Sequence, residues 1–164
     1  IKGETVEQSI FDRGKVVSEQ QCLEFMLKLM DIVQYIHSQG IVHLDIRIPN
    51  VIQRAHEMYL IDYGLAALIG STYNEGNEAD EETKLRRTPI VASDLYAIGH
   101  FMLFMLYSSY SSTLGSPPVS WQEELPISFT TKQIIRRLLQ IELCYESSEQ
   151  FIIDIRKSLQ LLAF

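Results

Sequence analysis

A chain of 164 residues that is 46% hydrophobic and 21% charged has the composition of a globular domain with a real core, which excludes wholesale disorder. Fourteen Lys and Arg against twenty-one Asp and Glu leave a formal charge of -7, so the chain lacks the electrostatic footprint of a nucleic-acid binder. Two cysteines, Cys22 and Cys144, make no disulfide framework, and the expected compartment is the reducing cytoplasm.

The most apolar run, Leu95 to Tyr107, is too short to span a bilayer. Lys2, Glu4, Glu7 and Asp12 spoil any signal-peptide pattern at the start, so no membrane partner is expected. The chain opens at Ile1 without Met, which suggests a piece of a longer polypeptide.

The first dozen residues predict a short helix closed by the turn Asp12-Arg13-Gly14. Ser18-Glu19-Gln20-Gln21 has the form of a capping box, in which Ser18 accepts from an orphan amide and Gln21 reaches back. Behind it Leu23, Met26, Leu27, Met30 and Val33 recur at helical spacing, and Gly40 supplies a left-handed stop. Two short apolar runs, 50–53 and 58–61, flank a polar turn near His56-Glu57 and predict a small hairpin. From Gly70 to Arg87 apolar periodicity disappears and acids collect, which predicts a solvated loop.

Ser93-Asp94 then opens a helix to about Tyr107 that is apolar nearly all round and is expected to run through the middle of the domain. Residues 108–118 are rich in Ser and Pro and are expected to be irregular, with Trp121 packing on the core beyond them. Two further helices are expected, about Thr131 to Leu143 and Ser148 to Leu162, the second capped through Ser147-Ser148-Glu149-Gln150. The expected fold class is mainly α with a small antiparallel β-hairpin.

Between the long helix and the hairpin stands Ile41-Val42-His43-Leu44-Asp45-Ile46-Arg47-Ile48-Pro49-Asn50, and Asp62-Tyr63-Gly64 follows the second strand. Singly, Asp45 reads as a turn carboxylate, Asn50 as a strand-edge cap and Asp62 as a turn former. As an ordered set they resemble the protein kinase family, whose catalytic loop is His-Arg-Asp-Leu-Lys-Pro-x-Asn and whose metal motif is Asp-Phe-Gly. The run Tyr35 to His43 and the segment Ser93 to Gly99 are similar to that family as well.

The resemblance implies a kinase-like C-terminal lobe over residues 1–164, built round a buried central helix. Its catalytic loop would be 43–50, its metal motif 62–64, and a shortened activation segment would run over about 65–92. It implies phosphoryl transfer from ATP with Mg²⁺ to a protein Ser/Thr hydroxyl. Asp45 would orient the acceptor, and Asn50 and Asp62 would offer oxygens to the cation. Arg47 stands where serine/threonine kinases place Lys and would neutralise the transferred phosphate as a planar fork. His43, Gly64 and Asp94 would be structural, with Asp94 holding the catalytic-loop backbone. No third ligand stands at zinc spacing from His37 and His43.

The sequence departs from the family in three places. The Gly-rich loop, its lysine and the partner glutamate are missing, so the expected partner is an N-terminal lobe or another chain, and the lobe alone is expected to be inactive. A cleft floor left open would also favour a homodimer. Leu44 replaces the Arg that reads a phosphorylated loop, which leaves a phosphate at Ser71 or Thr72 without an obvious partner. Thr88-Pro89-Ile90-Val91-Ala92 resembles the start of the peptide-docking loop and makes Thr88 a candidate substrate-loop residue, yet Ala-Pro-Glu does not follow. Two other readings stay open: a kinase-like small-molecule phosphotransferase, and a non-catalytic scaffold.

Overall fold

Capping chemistry sets the ends of the helices. The computed structural model describes residues 3–72, 80–110 and 119–163. Strand β1 (Glu4–Thr5) runs directly into α1 (Val6–Phe11), whose N-cap Thr5 forms a capping box with Gln8. Gly14, at φ 60°, closes the turn that follows. Helix α2 (Glu19–Ser38) starts on the expected Ser18–Gln21 box and ends before Gly40, which takes φ 73°. Glycine tolerates that left-handed conformation without a Cβ clash.

Beyond α2, β2 (Ile41–Val42) leads into the 43–50 loop, and β3 (Val51–Arg54) and β4 (Glu57–Leu60) form the hairpin. The hairpin is shifted from expectation. Asn50 belongs to a 3-10 turn, Ile61 lies beyond the strand, and the sheet gains a third member. Strand β1 pairs antiparallel with β3 through Glu4–Gln53 and Thr5–Ile52, giving the order β1-β3-β4. A second antiparallel ribbon joins β2 to β5 (Ala67–Leu68).

The segment expected to be a solvated loop contains a helix, α3 (Glu81–Arg87). Charge rather than an apolar face holds it. Asp80 accepts from the Thr83 amide at 2.7 Å, acids occupy the first turn and bases the last, and Lys84–Glu81 and Arg86–Glu82 are paired. These interactions complement the helix dipole and leave no hydrophobic period to detect. Residues 73–79 lie outside the described residues. The Gly70 amide donates to the Pro89 carbonyl at 2.8 Å, which draws together the two ends of the segment.

Helix α4 (Val91–Tyr107) begins two residues before Ser93, and Ser93 bonds the Thr88 carbonyl instead of capping it. The helix does have an outer face, since Phe104 is 50% exposed and rests edge-on against Phe11. Its other side packs with α2, where Phe25 stacks on Phe101 at 5.7 Å. Fully buried Leu23, Met26, Met30, Leu95, Ile98 and Met102 make the centre of the core. Each contributes about 2 kcal/mol of burial.

Trp121 opens α5 (Trp121–Glu124) and is partly buried against that core. Helix α6 (Phe129–Leu138) starts at its Ser128 cap, two residues earlier than expected, and stops five residues short of Leu143. Gln140 takes φ 57° just beyond its end. Helix α7 (Ser148–Leu162) keeps its expected bounds and its Ser147 cap. The irregular stretch expected over 108–118 lies largely outside the described residues, at 111–118. No single helix among the described residues is long and apolar enough to cross a membrane. Cys22 is buried and Cys144 half-buried, both free thiols.

Candidate functional site

One carboxylate organises the loop between β2 and the 3-10 turn. Asp94, in the first turn of α4, is fully buried. Its Oδ2 accepts from the His43 amide at 2.9 Å and its Oδ1 from the Leu44 amide at 2.8 Å. A buried carboxylate without such donors would be very costly, so the loop and the helix position each other. Leu44 is held at φ 60°, an uncommon conformation for a branched residue, and this turns the chain so that Asp45 leaves the buried layer.

The His43 ring fixes the next link. The Asp45 amide donates to His43 Nδ1 at 3.2 Å, so Nε2 carries the hydrogen that meets the Ile61 carbonyl at 3.1 Å. Burial pushes the His43 pKa below that of a free imidazole, against the pull of Asp94, Asp45 and Asp62. The ring is therefore neutral at neutral pH, as that pattern of bonds requires. Tyr63 stands edge-on to it at 4.6 Å. Through Ile61, His43 ties the 43–50 loop to the residue before Asp62.

Around Asp45 the polar groups converge. Asn50 Nδ2 donates to Asp45 Oδ2 at 2.8 Å and to the Asp45 carbonyl at 2.9 Å. Arg47 Nε donates to the same Oδ2 at 3.2 Å. The Ile61 amide in turn bonds the Asn50 carbonyl at 2.9 Å, so Asn50 links loop and hairpin. Asp62 is exposed, with φ 64°, and its Oδ1 accepts only a long 3.4 Å bond from the Gly64 amide among the described residues. Gly64 thus serves as the amide that orients Asp62.

Asn50 and Asp62 suit a hard cation. Both Asn50 bonds use its nitrogen, which leaves Oδ1 as a bare acceptor, and the Asp62 carboxylate carries no basic partner among the described residues. No cluster of three or more His, Cys, Asp or Glu capable of holding a metal occurs among the described residues. A cation here would therefore take two side-chain oxygens and complete its shell with phosphate and water, which is the habit of Mg²⁺.

Three further residues belong to this framework and were not placed in it from the sequence. His37 Nε2 bonds Asp94 Oδ2 at 2.8 Å, and its Nδ1 bonds Ser148 Oγ at 2.8 Å, so α2, α4 and α7 meet on one ring. The run Tyr35 to His43 was the available signal for His37. Arg87 Nη1 donates to the Leu44 carbonyl at 3.3 Å, bringing a guanidinium from α3 to the turn where Leu44 lacks one. No local pattern announces a contact across 43 positions. Thr88 stands apart from Asp45 in its bonding: its hydroxyl donates to the Lys84 carbonyl at 2.7 Å and closes α3.

Comparison with known sequences agrees with this geometry. Residues 2–113 match the sequence model of the protein kinase domain. The chain is 32% identical, over 98% of its length, to the Bacillus subtilis (strain 168) protein named "Probable serine/threonine-protein kinase YbdM", and spans 58% of that relative. It is 25% identical over 92% of its length to serine/threonine-protein kinase B of Synechocystis, of which it spans 30%. It is 26% identical over 92% of its length to serine/threonine-protein kinase PknA of Nostoc, of which it spans 29%. With the domain match covering most of its length and the loop held on Asp94, the chain belongs to the protein kinase family.

Proposed function

We propose that this chain is the C-terminal lobe of a serine/threonine protein kinase, transferring the γ-phosphoryl group of ATP to a protein hydroxyl. The observation that carries the reading is the convergence of Asn50 and Arg47 on the Asp45 carboxylate, at 2.8 Å and 3.2 Å. Phosphoryl transfer needs an oriented nucleophile and neutralised phosphate oxygens more than it needs covalent help.

Asp45 keeps Oδ1 available for the acceptor hydroxyl, because both neighbours bond Oδ2. It orients the oxygen for in-line attack and receives its proton as the bond from phosphorus to the ADP oxygen breaks. Arg47, 61% exposed at its side chain, retains two terminal nitrogens for the transferred phosphate. Asn50 Oδ1 and the Asp62 carboxylate would hold Mg²⁺, which screens the charge of the phosphates when bound. An N-terminal lobe or a partner chain supplies the roof of the nucleotide site, and the lobe by itself turns over negligibly.

Calorimetry of Mg·ATP with this chain, beside Asp62→Asn, tests the nucleotide site. Binding that the substitution abolishes supports the reading. Labelled-phosphate transfer, assayed with an N-terminal lobe present, tests the reaction against protein, sugar, choline and aminoglycoside acceptors. Transfer to protein that Asp45→Asn removes is expected. Transfer confined to small molecules, or transfer indifferent to Asp45→Asn, overturns it.

A further inference from the structure

A groove of about 320 Å³ opens beside the catalytic loop, between α1, α3 and α4. Arg47 forms part of its wall while its Nε holds Asp45, so the groove begins within one side chain of the proposed acceptor site. Arg86 of α3 and His100 of α4 also line it, with Phe101 and Phe104 as apolar walls and Glu7 as its one acid.

The polar lining is not saturated. Among the described residues Arg47 uses Nε alone, and Arg86 uses Nε and Nη2 on Glu82 at 3.0 Å and 2.9 Å, which leaves terminal N–H groups on both. Arg86 is steadied from behind by the Tyr96 ring, 5.4 Å from the guanidinium carbon. Among the described residues, His100 Nε2 is buried without a hydrogen-bond partner. Buried polar atoms are rarely left so, since each costs a lost bond, and the ring gains from any polar group that reaches it. Burial and the nearby Arg86 charge keep the His100 pKa below the ordinary value, so the ring is neutral and can donate through one nitrogen.

We propose that this groove receives an anionic side chain of the protein substrate, an Asp, Glu or phosphorylated residue flanking the acceptor hydroxyl. The inference rests on the reading of the site as one that acts on a protein. The carboxylate or phosphate lies between the two guanidinium groups, beside the His100 ring, while the stem of the side chain packs on the exposed face of Phe104. Charge-assisted bonds of this kind discriminate strongly against a neutral or basic side chain.

The test is binding without nucleotide, so that it is legible whether or not transfer occurs. Dye-labelled Ser-centred peptides carrying Glu, phosphoserine, Gln or Lys at successive positions round the Ser are titrated with the chain and read by fluorescence anisotropy. At one position the Glu or phosphoserine peptide is expected to bind about tenfold tighter than the Gln peptide. Arg86→Glu is expected to shift the preference to Lys, and Arg86→Gln to abolish it, with circular dichroism confirming the fold of each. His100→Phe is expected to weaken the anionic peptides alone. Tighter Glu than phosphoserine binding assigns a carboxylate, and the reverse assigns a phosphate. Equal binding of all four peptides, or a preference unchanged in Arg86→Glu, overturns the groove assignment even where protein phosphorylation is observed.

Discussion

The imidazole Nε2 of His37 lies 2.8 Å from Oδ2 of Asp94, although 57 positions separate the two residues. With the His43 and Leu44 amides on the same carboxylate, this bond makes the 43–50 loop an extension of the helical core. Replacing His37 by Phe keeps a ring in the space but leaves a buried carboxylate oxygen and the Ser148 hydroxyl short of a partner. A loss of about 1–3 kcal/mol is expected. A urea titration measures it, and an unchanged midpoint would show that the bond carries no stability.

Asp45→Asn and Asn50→Asp separate chemistry from folding. The first removes the carboxylate proposed to orient the hydroxyl, and the second sets a like charge against Asp45 Oδ2 where Asn50 now donates at 2.8 Å. Each is expected to reduce transfer by about a hundredfold or more. Labelled-phosphate kinetics with an N-terminal lobe present check this, with the denaturation midpoint of Asp45→Asn staying close to that of the parent chain.

Acid should destabilise the fold through two rings. Burial holds the pKa of both His43 and His100 below the ordinary imidazole value of 6.5. The unfolded chain therefore takes up protons first as pH falls through that value, while the folded rings stay neutral. Stability is full above the unfolded pKa and declines below it, down to the folded pKa values. Urea midpoints compared at about pH 7.5 and about pH 5.5 should show the decline. His100→Phe should reduce the difference, and a fold more stable in acid would contradict the sign.

Two backbone positions offer opposite tests. A Cβ on Gly99 would stand 2.9 Å from Leu138 Cβ and 2.9 Å from Leu139 Cδ2, where α4 meets α6. Gly99→Ala is expected to cost about 1–3 kcal/mol of overpacking, which outweighs the gain of about 1 kcal/mol in helix propensity. At the hairpin turn, exposed Ala55 sits at φ 52°. Ala55→Gly removes left-handed strain worth about 1 kcal/mol and should raise the thermal midpoint.

The sequence announced what short-range physics controls. The Ser18 and Ser147 caps, the Gly40 stop and the stripe from Leu23 to Val33 each repeat a local rule, and the helices stand where those rules put them. The spacing of His43, Asp45, Asn50 and Asp62 was legible because the chain itself spaces them along one loop and one hairpin. Helix α3 was hidden because it rests on ion pairs and a dipole rather than on an apolar face. The β1–β3 and β2–β5 pairings were hidden because two-residue strands have no period to read. The Arg87–Leu44 bond and the half-open face of α4 arise only from how distant elements meet.

The bond from the Gly70 amide to the Pro89 carbonyl, at 2.8 Å, has a consequence for variation in length. A segment whose ends are clamped transmits little of its own size to the rest of the protein, since each doubling of the length between two joined points costs only about 0.6 kcal/mol. Changes of length between Gly70 and Pro89, outside α3, should thus be among the cheaper ones this chain can acquire. The clamp makes that stretch the natural place for relatives to diverge in length, and for a reporter peptide to be spliced in, while Asp45 and Asp62 keep their footing.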